Sequence, residues 1–390
     1  MHIPDFSTYR TPQIHFGTGK ITQLAQVSKS FGKKALLVTG SSSLHENGMI
    51  KSIIESFNST GLTTLQFQVN SEPTVSLVDS GAEQFRSSGI DIVIAIGGGS
   101  VIDAGKAISA MIPVEKSVYD FIEGGGDQKH PGLKIPFIAV PTTSGTGSEA
   151  SANSVLNIGG ESGIKRSVRH PDFVPDVALV DPAMTLSCPP RITSSCGMDT
   201  LTQLIESYVS TGASPFTDAL VEHILPGTSE SLIKATENGS DIQSRTHLSY
   251  ASLSSGITLA NAGLGAVHGI APVIGGWFPI PHGALCGLLL APVTKKNISR
   301  LKTTDPNHNA LKKYSRMGEI LSAQRAQTVM EGCEILLEKL YSLKKTFYNS
   351  EISSYGVKEV HFSDIARESR CKNNPCELSA RDIEEILKEL

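Results

Sequence analysis

Five short apolar runs in the first half of the chain, KALLVTG at 34–40, TTLQFQV at 63–69, DIVIAIGGG at 91–99, KIPFIAVPTT at 134–143 and DVALVDP at 176–182, are separated by stretches of helix length. Short apolar runs separated by helix-length segments predict a parallel sheet covered on both faces. After Leu186 the pattern stops. Long segments rich in Ala, Leu, Ser and Glu follow, and the ending LSARDIEEILKEL reads as a helix capped near Ser379. The change of pattern and Pro189-Pro190 put the expected boundary between an α/β domain over 1–186 and a helical domain over 187–390.

At 390 residues and 39% hydrophobic content, the chain is long enough for two domains with sizeable cores. A formal net charge of −4 without a basic run leaves no electrostatic footprint for nucleic acid or an anionic membrane, so a small-molecule partner is expected. Six cysteines, Cys188, Cys196, Cys286, Cys333, Cys371 and Cys376, include no CxxC and no regular framework, and read as reduced thiols of a cytoplasmic protein. The start MHIPDFSTYR lacks a basic segment followed by an apolar one, and no apolar run is long enough to span a bilayer.

Two motifs in the α/β half point to a nucleotide. GGGSVIDAGK at 97–106 follows the run DIVIAI and opens into a helix-like stretch. Glycines at such a turn let backbone N–H groups approach a phosphate at the positive end of the helix dipole, although a tight turn needing positive φ is the plainer alternative. PTTSGTGSE at 141–149 follows a second run and offers the hydroxyls of Thr142, Thr143, Ser144 and Thr146. The usual GxGxxG fingerprint after the first strand is missing. Phe16-Gly17-Thr18-Gly19-Lys20-Ile21 has the wrong spacing for a phosphate-binding loop and reads as a turn.

In the helical half, Asp199 lies in MDTLTQLIESYV, His268 in ANAGLGAVHGIAPV and His282 in IPHG. One carboxylate and two imidazoles from separate segments suit Zn²⁺ or Fe²⁺ and leave a position for substrate. Taken singly, Asp199 is equally a helix N-terminal carboxylate and His268 a core histidine. Glu206, seven residues after Asp199 on the same helix face, reads as solvated or helix-pairing, with support of the site as the alternative. Cys286, within CGLLLAP, reads as a buried thiol and not as a ligand. Trp277 and Phe278 suit either a pocket wall or the core, and Lys295, Lys296, Arg300 and Lys302 a solvated run.

With PQIHFGTG at 12–19, GGGSVID at 97–103, PTTSGTGSE at 141–149, the ligand segments and Asn374-Pro375 taken in order, the chain resembles the iron-containing, group III alcohol dehydrogenases of the dehydroquinate synthase-like superfamily. The resemblance implies a dinucleotide-binding α/β domain, a helical metal and substrate domain, and a homodimer or larger homo-oligomer. It places Gly97, Gly98, Gly99, Ser100 and Asp103, the hydroxyls of the second motif, and Lys165 at the NAD(P) cofactor, with a solvated amine the alternative for Lys165. It makes Asp199, His268 and His282 the catalytic metal ligands. Many members carry an aspartate where Gly40 stands. Its absence, with Ser41 and Ser42 beside it, predicts NADP(H) over NAD(H), since a carboxylate there would repel a 2′-phosphate.

Two positions depart from the family pattern. Gln203 stands where iron-dependent members place a histidine one turn after the aspartate, so it is a weak ligand, a group that orients water, or a substrate contact. Pro272 stands where many members place a histidine suited to relaying the alcohol proton, and proline cannot relay one. The expected activity is hydride transfer between NADP(H) and a small alcohol or carbonyl compound, assisted by zinc or iron held weakly or not at all. The alternatives are a metal-independent reductase like the maleylacetate reductases, a lyase like dehydroquinate synthase, or an inactive binding protein.

Overall fold

The structure is a computed structural model that describes residues 4–40, 43–46, 48–159, 163–348 and 351–390. These form two compact units. One comprises Tyr9–Cys188 with Gly239–Ser249, and the other Pro189–Asn238 and Tyr250–Leu390 with the described residues up to Thr8.

The first unit carries strands β1 (Gln13–Phe16), β2 (Lys34–Gly40), β3 (Thr63–Val69), β4 (Ile92–Gly97), β5 (Phe137–Pro141), β6 (Asn153–Ile158), β7 (Ile164–Arg169) and β8 (Val177–Val180). Six form one sheet in the order β1-β8-β5-β4-β2-β3, and every pairing in it is parallel. The five apolar runs are β2, β3, β4, β5 and β8. Successive side chains of a strand point to opposite faces, and both faces are covered. Leu36, Val38, Val93, Ala95 and Ala139 face the helices Val75–Phe85 and Gly99–Met111. Leu37, Ile92, Ile94, Ile138 and Leu179 face Leu24–Lys29 and Met49–Ser59. Each valine, leucine or isoleucine among them contributes about 1.5–3 kcal/mol by leaving water.

The chain adds β3 on one side of β2 and then returns to lay β4 on the other. That reversal opens a crevice outside the carboxyl ends of the strands, the place where open α/β sheets bind ligands. Gly40 ends β2, Gly97 ends β4 and Pro141 ends β5, so the two glycine-containing motifs and Gly40 share this edge. The pair β6–β7 forms a separate antiparallel hairpin. Residues 17–19 turn into a short 3-10 helix, Lys20–Gln23, with Gly17 and Gly19 at positive φ.

The second unit is helical. At its centre the helix Pro190–Val209 is buried at every position from Gly197 onward, although that stretch includes Asp199, Thr200, Thr202, Gln203, Glu206 and Ser207. Against it lies the long helix His282–Thr304, and Val267–Trp277 precedes that helix in the chain. Ser379 caps the last helix, Ala380–Leu387, in a reciprocal capping box with Asp382. Lys295, Lys296 and Arg300 pair with Glu389, Glu385 and Asp382 around this helix instead of converging on a pocket. Among the described residues no single helix is long and apolar enough to cross a membrane.

Candidate metal centre

Three helices of the second unit deliver the donors. Asp199 sits in the buried middle of Pro190–Val209, His268 is the second residue of Val267–Trp277, and His282 the first of His282–Thr304. The approach of the first and last is set by a glycine. A Cβ on Gly283 would lie 2.2 Å from the Ser195 carbonyl oxygen, so only glycine lets the helices approach this closely. Ser195 is one turn before Asp199 and His282 is next to Gly283, so this contact brings the imidazole beside the carboxylate.

The start of Val267–Trp277 is fixed by two polar side chains. Glu206, two turns along from Asp199, accepts from Val267 N at 2.6 Å and from His268 N at 3.4 Å. Asn374, the residue singled out in the tail, accepts from Ala266 N at 3.2 Å. A carboxylate at a helix N-terminus satisfies donors that have no partner within the helix and complements its dipole. Gly265 has no room for a side chain here, since its Cβ would lie 2.9 Å from Asn374 Oδ1 and 3.0 Å from Glu206 Oε1. The expectation that Glu206 is solvated is therefore corrected. It is buried, and its Oε2 also lies 2.7 Å from His268 Nδ1. A carboxylate only accepts, so Nδ1 carries a proton, and Nε2 on the opposite side of the ring is the atom left to face a metal.

On that side the donors converge. Asp199 Oδ1 is 3.2 Å from His268 Nε2 and 3.7 Å from His282 Nε2. Cys286, one turn after His282, brings Sγ to 3.6 Å from His282 Nε2 and 3.8 Å from His268 Nε2. The four donor atoms all lie within 4.8 Å of one another, a group able to hold a metal ion. Bonds of about 2.0–2.3 Å to a tetrahedral ion set its donors roughly 3.3–3.6 Å apart, so the spacing and the donor types fit a divalent transition metal. Burial disfavours the Asp199 carboxylate, but His268 and His282 more than offset this and hold its pKa below the ordinary value. Burial likewise opposes charge on His268, yet Cys286, Asp199 and Glu206 raise it well above the usual imidazole range.

Gln203 is buried one turn after Asp199, and its Oε1 accepts a hydrogen bond from Ser255 Oγ at 2.7 Å. Pro272 lies inside Val267–Trp277 and, lacking an N–H, offers no helical bond to the His268 carbonyl. Trp277 is exposed and outside the core, while the Phe278 ring lies 5.1 Å from that of His361. The sequence places Glu206 on the helix face of Asp199 and reads Cys286 as a buried thiol, and neither reading has them face His268. The signal available was their i+7 and i+4 offsets from Asp199 and His282.

In the first unit, Gly98 caps Gly99–Met111 without a side-chain bond, and Thr142 N donates to Gly97 O at 2.9 Å. A Cβ on Gly99 would lie 2.6 Å from Thr146, and one on Gly98 3.5 Å from Thr143, so the two motifs pack directly on each other. Ser100 follows in the first turn of the helix. Ser144 Oγ lies 3.1 Å from Ser249 Oγ. Asp103 is buried and accepts from Val155 N at 3.1 Å, which ties the helix to β6. Lys106, buried in the same helix, donates to the carbonyls of Ser148, Ser151 and Asn153, each at 2.8 Å, and so anchors the end of the second motif. Lys165 lies on β7 with Nζ 2.5 Å from Glu72 Oε1. A Cβ on Gly40 would make only ordinary contact with Val101, at 3.6 Å. Ser41 and Ser42 lie outside the described residues.

Comparison with known proteins gives this arrangement its setting. Residues 11–182 match the model of iron-containing alcohol dehydrogenases, and 193–390 that of the C-terminal region of the Fe-containing alcohol dehydrogenase family. The chain is 32% identical to an NADPH-dependent butanol dehydrogenase of Clostridium saccharobutylicum, covering 96% of this chain and 95% of that one. It is 30% identical to an NAD-dependent methanol dehydrogenase of Bacillus methanolicus, covering 97% of each. An archaeal halo-thermophilic alcohol dehydrogenase from a Red Sea brine pool superimposes over 100% of both chains with a TM-score of 0.91 at 27% identity. An α/β unit with a six-stranded parallel sheet, a helical unit holding one acid and two imidazoles around a common point, and family matches across both halves establish that this chain belongs to the iron-containing alcohol dehydrogenase family of oxidoreductases.

Proposed function

We propose that this alcohol dehydrogenase uses NADP(H) to interconvert a small alcohol and its aldehyde or ketone, with zinc or iron held by Asp199, His268 and His282. The observation that carries the reading is the convergence of these three donors at tetrahedral spacing in the helical unit. A divalent cation held there supplies Lewis acidity toward a substrate oxygen while the nicotinamide carries the hydride. The chain's own part is positional. Glu206 holds His268 in one tautomer and one orientation, and Asp199 is kept ionised by its imidazole neighbours. Gln203, with Oε1 engaged by Ser255, serves as a weak ligand or a group that orients water. Pro272 transfers no proton, so the alcohol proton would need a route other than a side chain at this position.

For the cofactor, the backbone of Gly97, Gly98, Gly99 and Ser100 at the helix start would hold the phosphates, with Thr142, Thr143, Ser144 and Thr146 beside them. Asp103 shapes the motif from below through β6, and Lys165 contributes positive charge from β7. Support for this reading is the shared carboxyl edge of β2, β4 and β5 at the topological reversal. Gly40 adds no negative charge near the ribose, which favours a 2′-phosphate. The relatives are named for both cofactors, and the NADPH-dependent one supports this choice. Six free thiols fit a reducing compartment, the cytoplasm, and family resemblance supports a homodimer or larger homo-oligomer.

The test is a panel of aldehydes and ketones followed by NADPH and NADH absorbance, with added Zn²⁺, Fe²⁺ or EDTA. The expected result is metal-dependent oxidation of NADPH, lost with EDTA and restored by one of the ions. Turnover indifferent to EDTA would replace this reading with a metal-independent reductase. Comparable efficiency with NADH would overturn the cofactor preference.

A further inference from the structure

We propose that Cys286 is a fourth protein donor to the metal, so that this chain binds its ion through one carboxylate, two imidazoles and a thiolate. The inference rests on the metal reading above and goes beyond it, since three donors already suffice for that reading; with four protein donors the substrate oxygen would enter as a fifth ligand, a coordination number that catalytic zinc can reach. Cys286 Sγ lies 3.6 Å from His282 Nε2 and 3.8 Å from His268 Nε2, on the side where both rings face Asp199. For a zinc ion with sulfur at about 2.3 Å and nitrogen at about 2.0–2.1 Å, the tetrahedral sulfur-to-nitrogen edge is roughly 3.6 Å. The sulfur therefore meets the spacing as well as the oxygen of Asp199 does.

The neighbouring helix explains why a thiol takes this place. The residue one turn after Asp199 is Gln203, whose amide oxygen is a weak ligand and already accepts a hydrogen bond from Ser255 at 2.7 Å. The residue one turn after His282 on His282–Thr304 is Cys286, wholly buried and directed at the same centre. A weak donor on one helix is thus accompanied by a strong one on the other. The chemistry of the two differs. A thiolate is softer than imidazole or amide and shifts preference from Fe²⁺ toward Zn²⁺ and Co²⁺.

Spectroscopy on the full-length protein tests this without relying on turnover. The enzyme is stripped with chelator, loaded with Co²⁺ and its absorption recorded. Visible ligand-field bands report that cobalt is bound in a low-symmetry site. A near-ultraviolet thiolate-to-cobalt charge-transfer band is the expected additional feature. It should disappear in Cys286→Ser and persist in Cys196→Ser and Cys333→Ser. Zinc affinity in Cys286→Ser should fall by at least the roughly 10- to 100-fold that even outer-shell losses cost. Ligand-field bands without charge transfer in the wild-type protein would overturn the thiolate proposal and leave the three-donor reading intact. Failure of the stripped, folded protein to bind cobalt or zinc at all would overturn both. The wild-type spectrum decides the matter even if Cys286→Ser does not fold, and persistence of the band in a folded Cys286→Ser would also refute the assignment.

Discussion

Each unit buries a cluster of ionisable groups, and the two clusters are completed in different ways. In the α/β unit, Asp103 and Glu149 are buried with Lys106, whose ammonium donates to three carbonyls and pulls on both acids. The cation is part of the polypeptide. In the helical unit, Asp199 and Glu206 are buried beside the half-buried His268 and His282, and among the described residues no lysine or arginine pairs with either acid. Buried charge needs a counter-charge or it is neutralised. The first cluster is a structural brace whose cation belongs to the chain, although Asp103 Oδ1 and Glu149 Oε1 accept no hydrogen bond among the described residues; the second converges on a point able to hold a cation of outside origin. What separates a brace from a site is therefore less the number of buried acids than whether the chain supplies its own cation.

The sharpest way to break this comparison is to remove the acid from the open cluster. Asp199→Ala should abolish metal binding and lower turnover by about 10³-fold or more, the several kcal/mol that a Lewis-acid centre supplies, with nucleotide affinity nearly unchanged. Elemental analysis and a fluorescence titration with NADPH check both halves, and undiminished turnover would mean that the second cluster is merely another brace. The reciprocal change is Lys106→Met, which strands two buried acids. It should cost about 3–5 kcal/mol in denaturant unfolding without altering metal content.

A third test uses pH. Burial, partly offset by its own backbone bond and by Lys106, raises Glu149 to about 7. Its Oε1 has no hydrogen-bond partner among the described residues. Between the ordinary carboxyl value and that raised value the folded state binds more protons than the unfolded one, so stability falls as pH rises through this window. Unfolding followed from pH 5 to 8 should show a decline on the order of 3 kcal/mol, and Glu149→Gln should flatten it. A wild-type profile already flat would place a charge partner on Glu149 and close the brace completely.

Smaller effects sharpen the contrast. Glu206→Gln keeps the size of the group that orients His268 but removes its charge, and should weaken metal affinity about 10- to 100-fold, measured by competition with a chelating dye. Gly40→Asp puts a carboxylate at the open edge of the sheet, where the Cβ has room. It should move the ratio of NADPH to NADH efficiency by on the order of tenfold toward NADH, and an unchanged ratio would show that this position does not meet the ribose.

The legible parts of the sequence were those with a local physical signature. The runs that became β2, β4, β5 and β8 are buried on both faces and hence apolar throughout, which no solvated segment imitates. Strand β1, four residues long with two of them exposed, and the hairpin strand β7, IKRSVR, carry too few apolar positions to announce themselves. Asp199, His268 and His282 were recognisable because a family pattern pointed at them. Glu206 and Cys286 were read as bystanders because an i+7 or i+4 offset specifies a helix face but not what packs on it.

The sequence alone determined the alternation of apolar runs and helices, the switch to an all-helical half, and the residue types able to hold a divalent ion. Those are properties of short stretches, decided by period, by burial on one or two faces and by donor chemistry. Only the tertiary structure decided that Gly283 backs onto Ser195, that Glu206 faces His268, and that the sulfur of Cys286 lies beside both histidines while the amide oxygen of Gln203 accepts from Ser255. Such contacts join residues dozens of positions apart, and they follow from how closely whole helices pack, which no local pattern encodes.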